Sequence, residues 1–271
     1  MKLATFNVNG IRAAQRRGFR PWLEATQPDV LALQEVRCPV DQIPPDVFAD
    51  HHVAYDPGEL AGRNGVALIS RAEPSEVRIG LIGDEEFSHE GRYIEADYDM
   101  GSTPVTIASL YLPKGAVPSE SEAAQAKFER KMRFCAILGE HLTMAIKRAQ
   151  ATNRAYTCLG DYNIARTEQD LYNHKSKKPL DGFLPEERAW LTEALELGLT
   201  DVVRGLHPET QGPYSWWSWR GGSWDRGYGW RIDYHLSTAE LAERAIFGDT
   251  DKADSYESRI SDHAPVIVNY R

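Results

Sequence analysis

Three cysteines are all the chain offers in 271 residues, and Cys38, Cys135 and Cys158 are odd in number and lack any paired metal spacing. A disulfide framework is therefore not expected, whereas small apolar side chains in a reducing compartment are. No uncharged apolar run is long enough to span a bilayer, which removes a membrane as a partner. Met1-Lys2-Leu3-Ala4-Thr5-Phe6-Asn7 reads as a strand and not as an apolar core followed by small residues, so no secretory signal is expected and the predicted location is the cytoplasm. No Pro/Gly/Ser-rich linker, low-complexity tract, internal repeat or break in composition divides the chain. One domain over residues 1–271 is expected, a length that one large α/β sandwich allows. The glycine fingerprints of P-loop and Rossmann sites are missing, as is the Gly-x-Ser-x-Gly of a serine hydrolase, and no His/Cys cluster proposes zinc.

Net positive charge is missing as well. The formal charge is -9 at pH 7, which argues against nonspecific adhesion to a polyanion. Contact with nucleic acid would need local basic patches, and there are two: Arg12, Arg16, Arg17 and Arg20, with no acid between Val8 and Leu23, and His174, Lys175, Lys177 and Lys178. Short charge runs are more commonly solvated faces. What the chain has in abundance is tryptophan in one place, with five of its seven between Tyr214 and Tyr234, among three arginines. Flat rings beside guanidinium groups suit unstacked bases, sugars and their phosphates, although tryptophans also fill cores.

Short apolar runs alternate with helical patterns, the signature of an α/β fold. Strands are predicted at Leu3 to Val8, Val30 to Leu33, Val66 to Ser70, Tyr93 to Tyr98, Val105 to Tyr111, Tyr156 to Leu159, Ile232 to Leu236 and Pro265 to Asn269. Helices are predicted around Pro21 to Thr26 and over Pro185 to Leu197, with Pro185 in a first turn and Gly198 at the end. The longest helix opens at Ser119-Glu120-Ser121-Glu122, read as a capping box with a hydroxyl three residues before a carboxylate. Phe128, Met132, Cys135, Leu138, Leu142 and Ile146 give it a core-facing stripe, with Lys127, Arg130, Lys131 and Glu140 expected in water.

Polar residues close the apolar runs: Asn7 after Leu-Ala-Thr-Phe, Glu35 after Leu-Ala-Leu-Gln, Tyr111 after Ile-Ala-Ser-Leu, and Asp161 and Asn163 after Cys158-Leu159-Gly160. Strand ends at the rim of a sheet are where α/β folds collect reacting groups. Taken singly, each reads as a turn cap or a solvated terminus.

As a set the motifs resemble a known family. Asn7-Val8-Asn9-Gly10-Ile11-Arg12, Leu33-Gln34-Glu35, Gly91-Arg92 with Glu95, Tyr111-Leu112-Pro113-Lys114-Gly115, Gly160-Asp161-Tyr162-Asn163, Gly229-Trp230-Arg231-Ile232-Asp233 and Ser261-Asp262-His263-Ala264-Pro265 are similar, in order, to those of the exonuclease III family. That family lies within the endonuclease/exonuclease/phosphatase superfamily, and the resemblance runs from residue 3 to about residue 269. It implies a four-layer α/β sandwich, two mostly antiparallel sheets packed face to face with helices outside. It also implies a metal-dependent nuclease that cuts duplex DNA 5′ to abasic sites and at 3′ ends.

On that resemblance Glu35 is the expected ligand of a hard cation, Mg²⁺ or alternatively Mn²⁺, with Asn7 close by and Asp262 as a further contributor. Asp233 orients His263, whose ring holds the phosphate or helps activate water, and Asp161 is the expected general base, the choice between Asp161 and His263 staying open. Asn163 and the Tyr111 hydroxyl are expected to bond the phosphate. Trp216, Trp230 and Ile232 align with the apolar pocket that receives an extrahelical abasic deoxyribose, too small for an intact base. Asn9, Arg12 and its neighbours, Lys114, and Lys175, Lys177 and Lys178 are expected along the bound duplex. Lys114 stands where relatives often carry Asn or Gln, and Ser218 where they often have Asp. Two other readings remain: a noncatalytic nucleic-acid-associated regulator, which would have lost catalytic positions that are all present here, and a phosphatase or phospholipase of the same superfamily, against which the Trp-rich segment and early arginines argue. A monomer is the default expectation.

Overall fold

Alternation in the first strand sets the layering. In β1 (Lys2–Asn7), Leu3 joins a cluster between two sheets while Ala4 and Phe6 join a second cluster under helices, as the two-residue period of a strand requires. The computed structural model describes residues 1–60, 62–100, 103–172 and 179–271. One six-stranded sheet runs in the order β13 (Ala245–Thr250), β14 (Val266–Tyr270), β1, β2 (Val30–Gln34), β4 (Val66–Ser70), β3 (His52–Asp56). The other runs β5 (Glu76–Ile79), β6 (Tyr93–Met100), β7 (Thr103–Tyr111), β8 (Ala155–Asp161), β12 (Asp233–Thr238), β9 (Leu199–Asp201). Each contains one parallel pairing, β1 with β2 and β7 with β8, and is otherwise antiparallel. A two-stranded ribbon, β10 (Trp216–Trp217) with β11 (Gly229–Trp230), stands apart.

Leu3, Val30, Ala32, Val66 and Leu68 pack against Ile94, Ala96, Val105, Ile107 and Leu159 between the sheets. Outside the first sheet, Phe6, Leu31 and Leu33 receive Ile11 of α1 (Ile11–Arg16) and Phe19 and Leu23 of α2 (Phe19–Thr26). Outside the second, Leu110, Tyr156 and Cys158 are covered by α3 (Glu122–Ala151) and α4 (Pro185–Glu196). The fold is thus the four-layer α/β sandwich expected, two mostly antiparallel sheets face to face with helices outside. Because both faces of each sheet are covered, central strands read as unbroken apolar runs; all of β2 is buried. Short helices α5 (Val202–Leu206), α6 (Ser223–Arg226) and α7 (Ala239–Ala242) fill the connections. Among the described residues no helix is long and apolar enough to cross a membrane.

Several expectations are corrected. The arginine-rich stretch after Gly10 is itself helix α1, and the helix expected near Pro21 begins at Phe19, after Gly18 at φ 98° separates the two. Helix α3 is capped by Ser121, whose hydroxyl accepts from Ala124 N at 3.1 Å; Ser119 lies in a 3₁₀ turn over Pro118–Glu120. Lys131, expected in water, is fully buried against Glu187, its Nζ 2.6 Å from Oε1. Strands β3, β5 and β13 escaped the sequence reading because they lie at sheet edges, where half-exposed positions carry mixed side chains. His174, Lys175, Lys177 and Lys178 lie outside the described residues.

Candidate active site

Strand register assembles the site. In the second sheet Tyr111 and Asp233 both pair with Asp161, placing three polar side chains in one row; in the first, Asn7 pairs with Gln34, just before Glu35. Face-to-face packing brings the rows together. The Asn7 side-chain nitrogen donates to Glu35 Oε1 at 2.8 Å and to Asp161 Oδ2 at 2.9 Å, with all three residues buried. Asn7 therefore bridges the two carboxylates. Glu35 can turn inward because it leaves β2 in the left-handed region at φ 52°.

A second chain of contacts runs through the Asp262-His263 turn. His263 Nδ1 lies 2.8 Å from Asp233 Oδ2, and its Nε2 lies 3.7 Å from Asp161 Oδ2. Ser215 Oγ donates to Asp233 at 2.6 Å and accepts from the main chain of Ile232 and Asp233, fixing that carboxylate. Burial alone would depress the imidazole, but Asp233 and Asp161 override it and raise His263 to about 10. Asp161 is pushed up to about 7 by burial, with Asp233 and Glu35 adding to the rise and His263 opposing it. Burial also raises Asp262, yet His263 and donors from Asn9 (2.9 Å) and Trp216 (3.2 Å) hold it below the usual carboxylate range. Tyr111 is held well above the usual phenol range by burial and then by Glu35 and Asp161.

Glu35, Asp161, Asp262 and His263 open onto a cleft of about 420 Å³, lined also by Tyr111, Asn163, Trp216, Trp230, Ile232 and Lys114, whereas Asn7 and Asp233 are buried and do not line it. The tryptophans split by the alternation of their ribbon. Trp216 and Trp230 face the cleft, cross-strand partners with rings 6.2 Å apart at 89°. Trp217 and Trp224 are buried behind it with Ala264. Trp219 stacks on Arg259, 3.6 Å from guanidinium carbon to ring centre, with Arg17 at 4.9 Å. Of the arginines in this segment, Arg231 is buried in ion pairs with Asp170 and Asp201, so it serves the scaffold and grips no outside anion.

Not every expected residue reaches the cleft. Arg12 is exposed on α1, bonded to Gln42 at 3.1 Å, and Arg20 pairs with Glu24 at 2.8 Å. Conversely, Arg37, Ser215 and Asp181 escaped the sequence reading. Arg37 pairs with Glu35 and donates to Asn9 Oδ1 at 2.6 Å. Its signal was a cation two residues after the strand-end carboxylate; Ser215 and Asp181 carried none.

The donor set suits a hard divalent cation. Glu35 and Asp161 are buried on either side of the Asn7 amide and offer oxygen, and Asp233 and Glu35 add to the rise that burial imposes on Asp161. Ligand atoms of Asp161, Asp233 and His263 all lie within 4.8 Å of one another, but His263 is already committed to Asp233, which leaves carboxylate oxygens as the donors a cation would find.

The sequence pattern of the Endonuclease/Exonuclease/phosphatase family matches residues 4–263. An exodeoxyribonuclease from Bacillus subtilis is 34% identical over 274 residues, covering 99% of this chain and 100% of that protein. A 3′-5′ exonuclease from Neisseria meningitidis superposes with a TM-score of 0.86 at 30% identity, covering 100% of this chain and 99% of the other. An AP endonuclease from Archaeoglobus fulgidus does so at 0.83 and 30%, with the same coverage.

Proposed function

The chain belongs to the endonuclease/exonuclease/phosphatase family, and on that premise we propose that it is a metal-dependent DNA repair nuclease, hydrolysing phosphodiester bonds of duplex DNA 5′ to abasic sites and at 3′ ends. The observation that carries this reading is the convergence of Glu35 and Asp161 on Asn7 beneath a wall of two tryptophans. Glu35 would be the principal ligand of Mg²⁺, with Mn²⁺ as an alternative, and Asn7 and Asp262 would contribute beside it. When bound, the cation polarises the scissile phosphate and offsets charge on the leaving 3′ oxygen.

The chain's own residues do the rest. Asp161, raised toward neutrality and partly stripped of water, takes the proton from the attacking water. His263, held charged by Asp233, is a poor proton acceptor at neutral pH and a good phosphate donor, which favours Asp161 as the base. Tyr111 and Asn163 donate to the phosphate as its charge grows. Trp216, Trp230 and Ile232 form an apolar wall suited to an extrahelical deoxyribose, with selection against an intact base by size. Asn9 and Lys114 on the cleft, and Arg12 outside it, are assigned to the flanking strand on the strength of the family resemblance. The protein acts as a monomer in the cytoplasm, where its three buried thiols stay reduced.

The test is incubation with duplex DNA carrying an abasic analogue and with recessed 3′ ends, in Mg²⁺ or EDTA. Incision of both substrates that EDTA abolishes is the expected result. Absence of cleavage, with hydrolysis of inositol phosphates or lipids instead, would move the protein to the phosphatase branch.

A further inference from the structure

Helix α3 sends one charged side chain into the protein. Lys131 is fully buried, and its ammonium donates to Glu187 Oε1 at 2.6 Å and to the main-chain oxygen of Asn163 at 2.9 Å. Glu187, equally buried in the first turn of α4, accepts from Leu184 N at 2.9 Å with its other oxygen. One ion pair therefore ties together the middle of α3, the turn after β8 and the segment leading into α4. The last two are walls of the cleft: Asn163 stands on one, and Leu180, Asp181 and Gly182 on the other.

The walls lean on each other. Ala165 N donates to Gly182 O at 2.8 Å, and a Cβ at Gly182 would come within 2.9 Å of Asn163 O and 3.5 Å of the Trp230 ring. Asn163 sits in the left-handed region at φ 48°, its main-chain N–H on Asp161 Oδ1 at 2.9 Å and its amide nitrogen on Leu112 O at 2.9 Å. Lys131 supplies the remaining contact, to the carbonyl, so the residue is held from three sides. Gly115 leaves room for the pair, since a Cβ there would meet Asp181 Oδ1 at 2.8 Å and Lys131 Cδ at 2.9 Å. A buried ion pair is seldom more stabilising than an apolar pair of the same shape, so stability alone is a weak reason for this one.

Resting on the hydrolysis proposed above, we infer that Lys131 and Glu187 are a positioning pair, which sets Asn163 and the facing segment for the phosphate. Neither touches substrate; both act through Asn163, against which residues 180–184 lean.

The paired variant Lys131→Met with Glu187→Met removes both charges and keeps side-chain length. It should melt within a few degrees of the parent, lose about 10- to 100-fold in kcat on abasic duplex with little change in KM, and add nothing to the loss caused by Asn163→Ala. Amide hydrogen exchange at Asn163 and Leu184 should quicken. Native kcat at native melting temperature, a loss additive with Asn163→Ala, or unchanged exchange at both amides would each overturn the pairing role. If the apolar pair does not fold, Glu187→Gln keeps an acceptor for Leu184 N–H while removing the charge that anchors Lys131, and must show the same kcat loss and faster exchange. The exchange readout needs no substrate. Failure of the parent to cut any DNA would sink the nuclease reading while still leaving the bracing decided.

Discussion

Glu35 and Asp161 accept from the same amide nitrogen, that of Asn7, although one ends a strand of the first sheet and the other a strand of the second. Packing of the two sheets is thus what makes the site. Glu35→Gln and Asp161→Asn keep the shape and the bond from Asn7 but remove one charge each. Each should lower cleavage of abasic duplex by two or more orders of magnitude, with native circular dichroism. Near-normal rates in both variants would show the roles to be wrongly assigned.

The pair Asp233 and His263 predicts a titration. Because its carboxylate neighbours raise the imidazole to about 10, His263 is charged below that pH, and the stability this contributes is complete below the ordinary 6.5 and lost as pH climbs through 10. Asp233→Asn removes the nearer acid at 2.8 Å and leaves burial opposed mainly by Asp161. The imidazole should then titrate several units lower, and the variant's loss of stability should be largest in acid and fade toward pH 10. Nuclear magnetic resonance of the His263 ring in metal-free protein decides it; a value still near 10 would show that Asp233 is not the principal cause.

How far this was legible in the sequence depends on range. Val30 to Leu33 announced a buried strand because both of its faces are covered. The strand-end polar residues could be picked out one by one, but their meeting depends on register between strands far apart in the chain, which only the family resemblance supplied. Lys131 was misread because helical periodicity assigns a lysine to water unless a partner is known, and Glu187 sits on a different helix. Arg37 hid in a turn where Glu35 and Arg37 both take positive φ, 52° and 51°, folding the cation back onto the acid. The tryptophan segment read about evenly as core or contact, and the ribbon's alternation divides it between the two.

Behind the tryptophan wall, Asp170 should carry much of the acid sensitivity of the fold. Burial would raise it, but Arg231 at 2.7 Å and Arg204 at 2.6 Å hold it at about 2. Its depressed value contributes stability above the ordinary 3.8 that disappears as pH falls toward 2, about 2 kcal/mol from the size of the shift. Asp170→Asn takes one of two carboxylates from Arg231, which keeps Asp201, and leaves Arg204 to main-chain carbonyls, so it should cost about 2 kcal/mol at neutral pH. Urea denaturation at pH 7 and pH 3 should show the difference between parent and variant shrinking in acid. A constant difference would assign the contribution to hydrogen bonds indifferent to charge.

The wall itself is tested by Trp230→Ala. Trp230 is half-buried, meets Trp216 edge to face, and backs against Gly182, so its loss opens the cleft without emptying the main core. A deoxyribose lacking its base gains contact area only from such a wall, whereas a small activated phosphodiester needs the carboxylates and little else. Incision at an abasic analogue should fall about tenfold or more beyond any loss on bis(p-nitrophenyl) phosphate, if a buried aromatic anchor of this kind behaves as interface anchors do. Discrimination against an intact nucleotide should relax as well, because selection by size requires that the pocket stay narrow. Equal losses on the two substrates would mean that Trp230 serves packing alone, and that the abasic sugar is recognised elsewhere along the cleft.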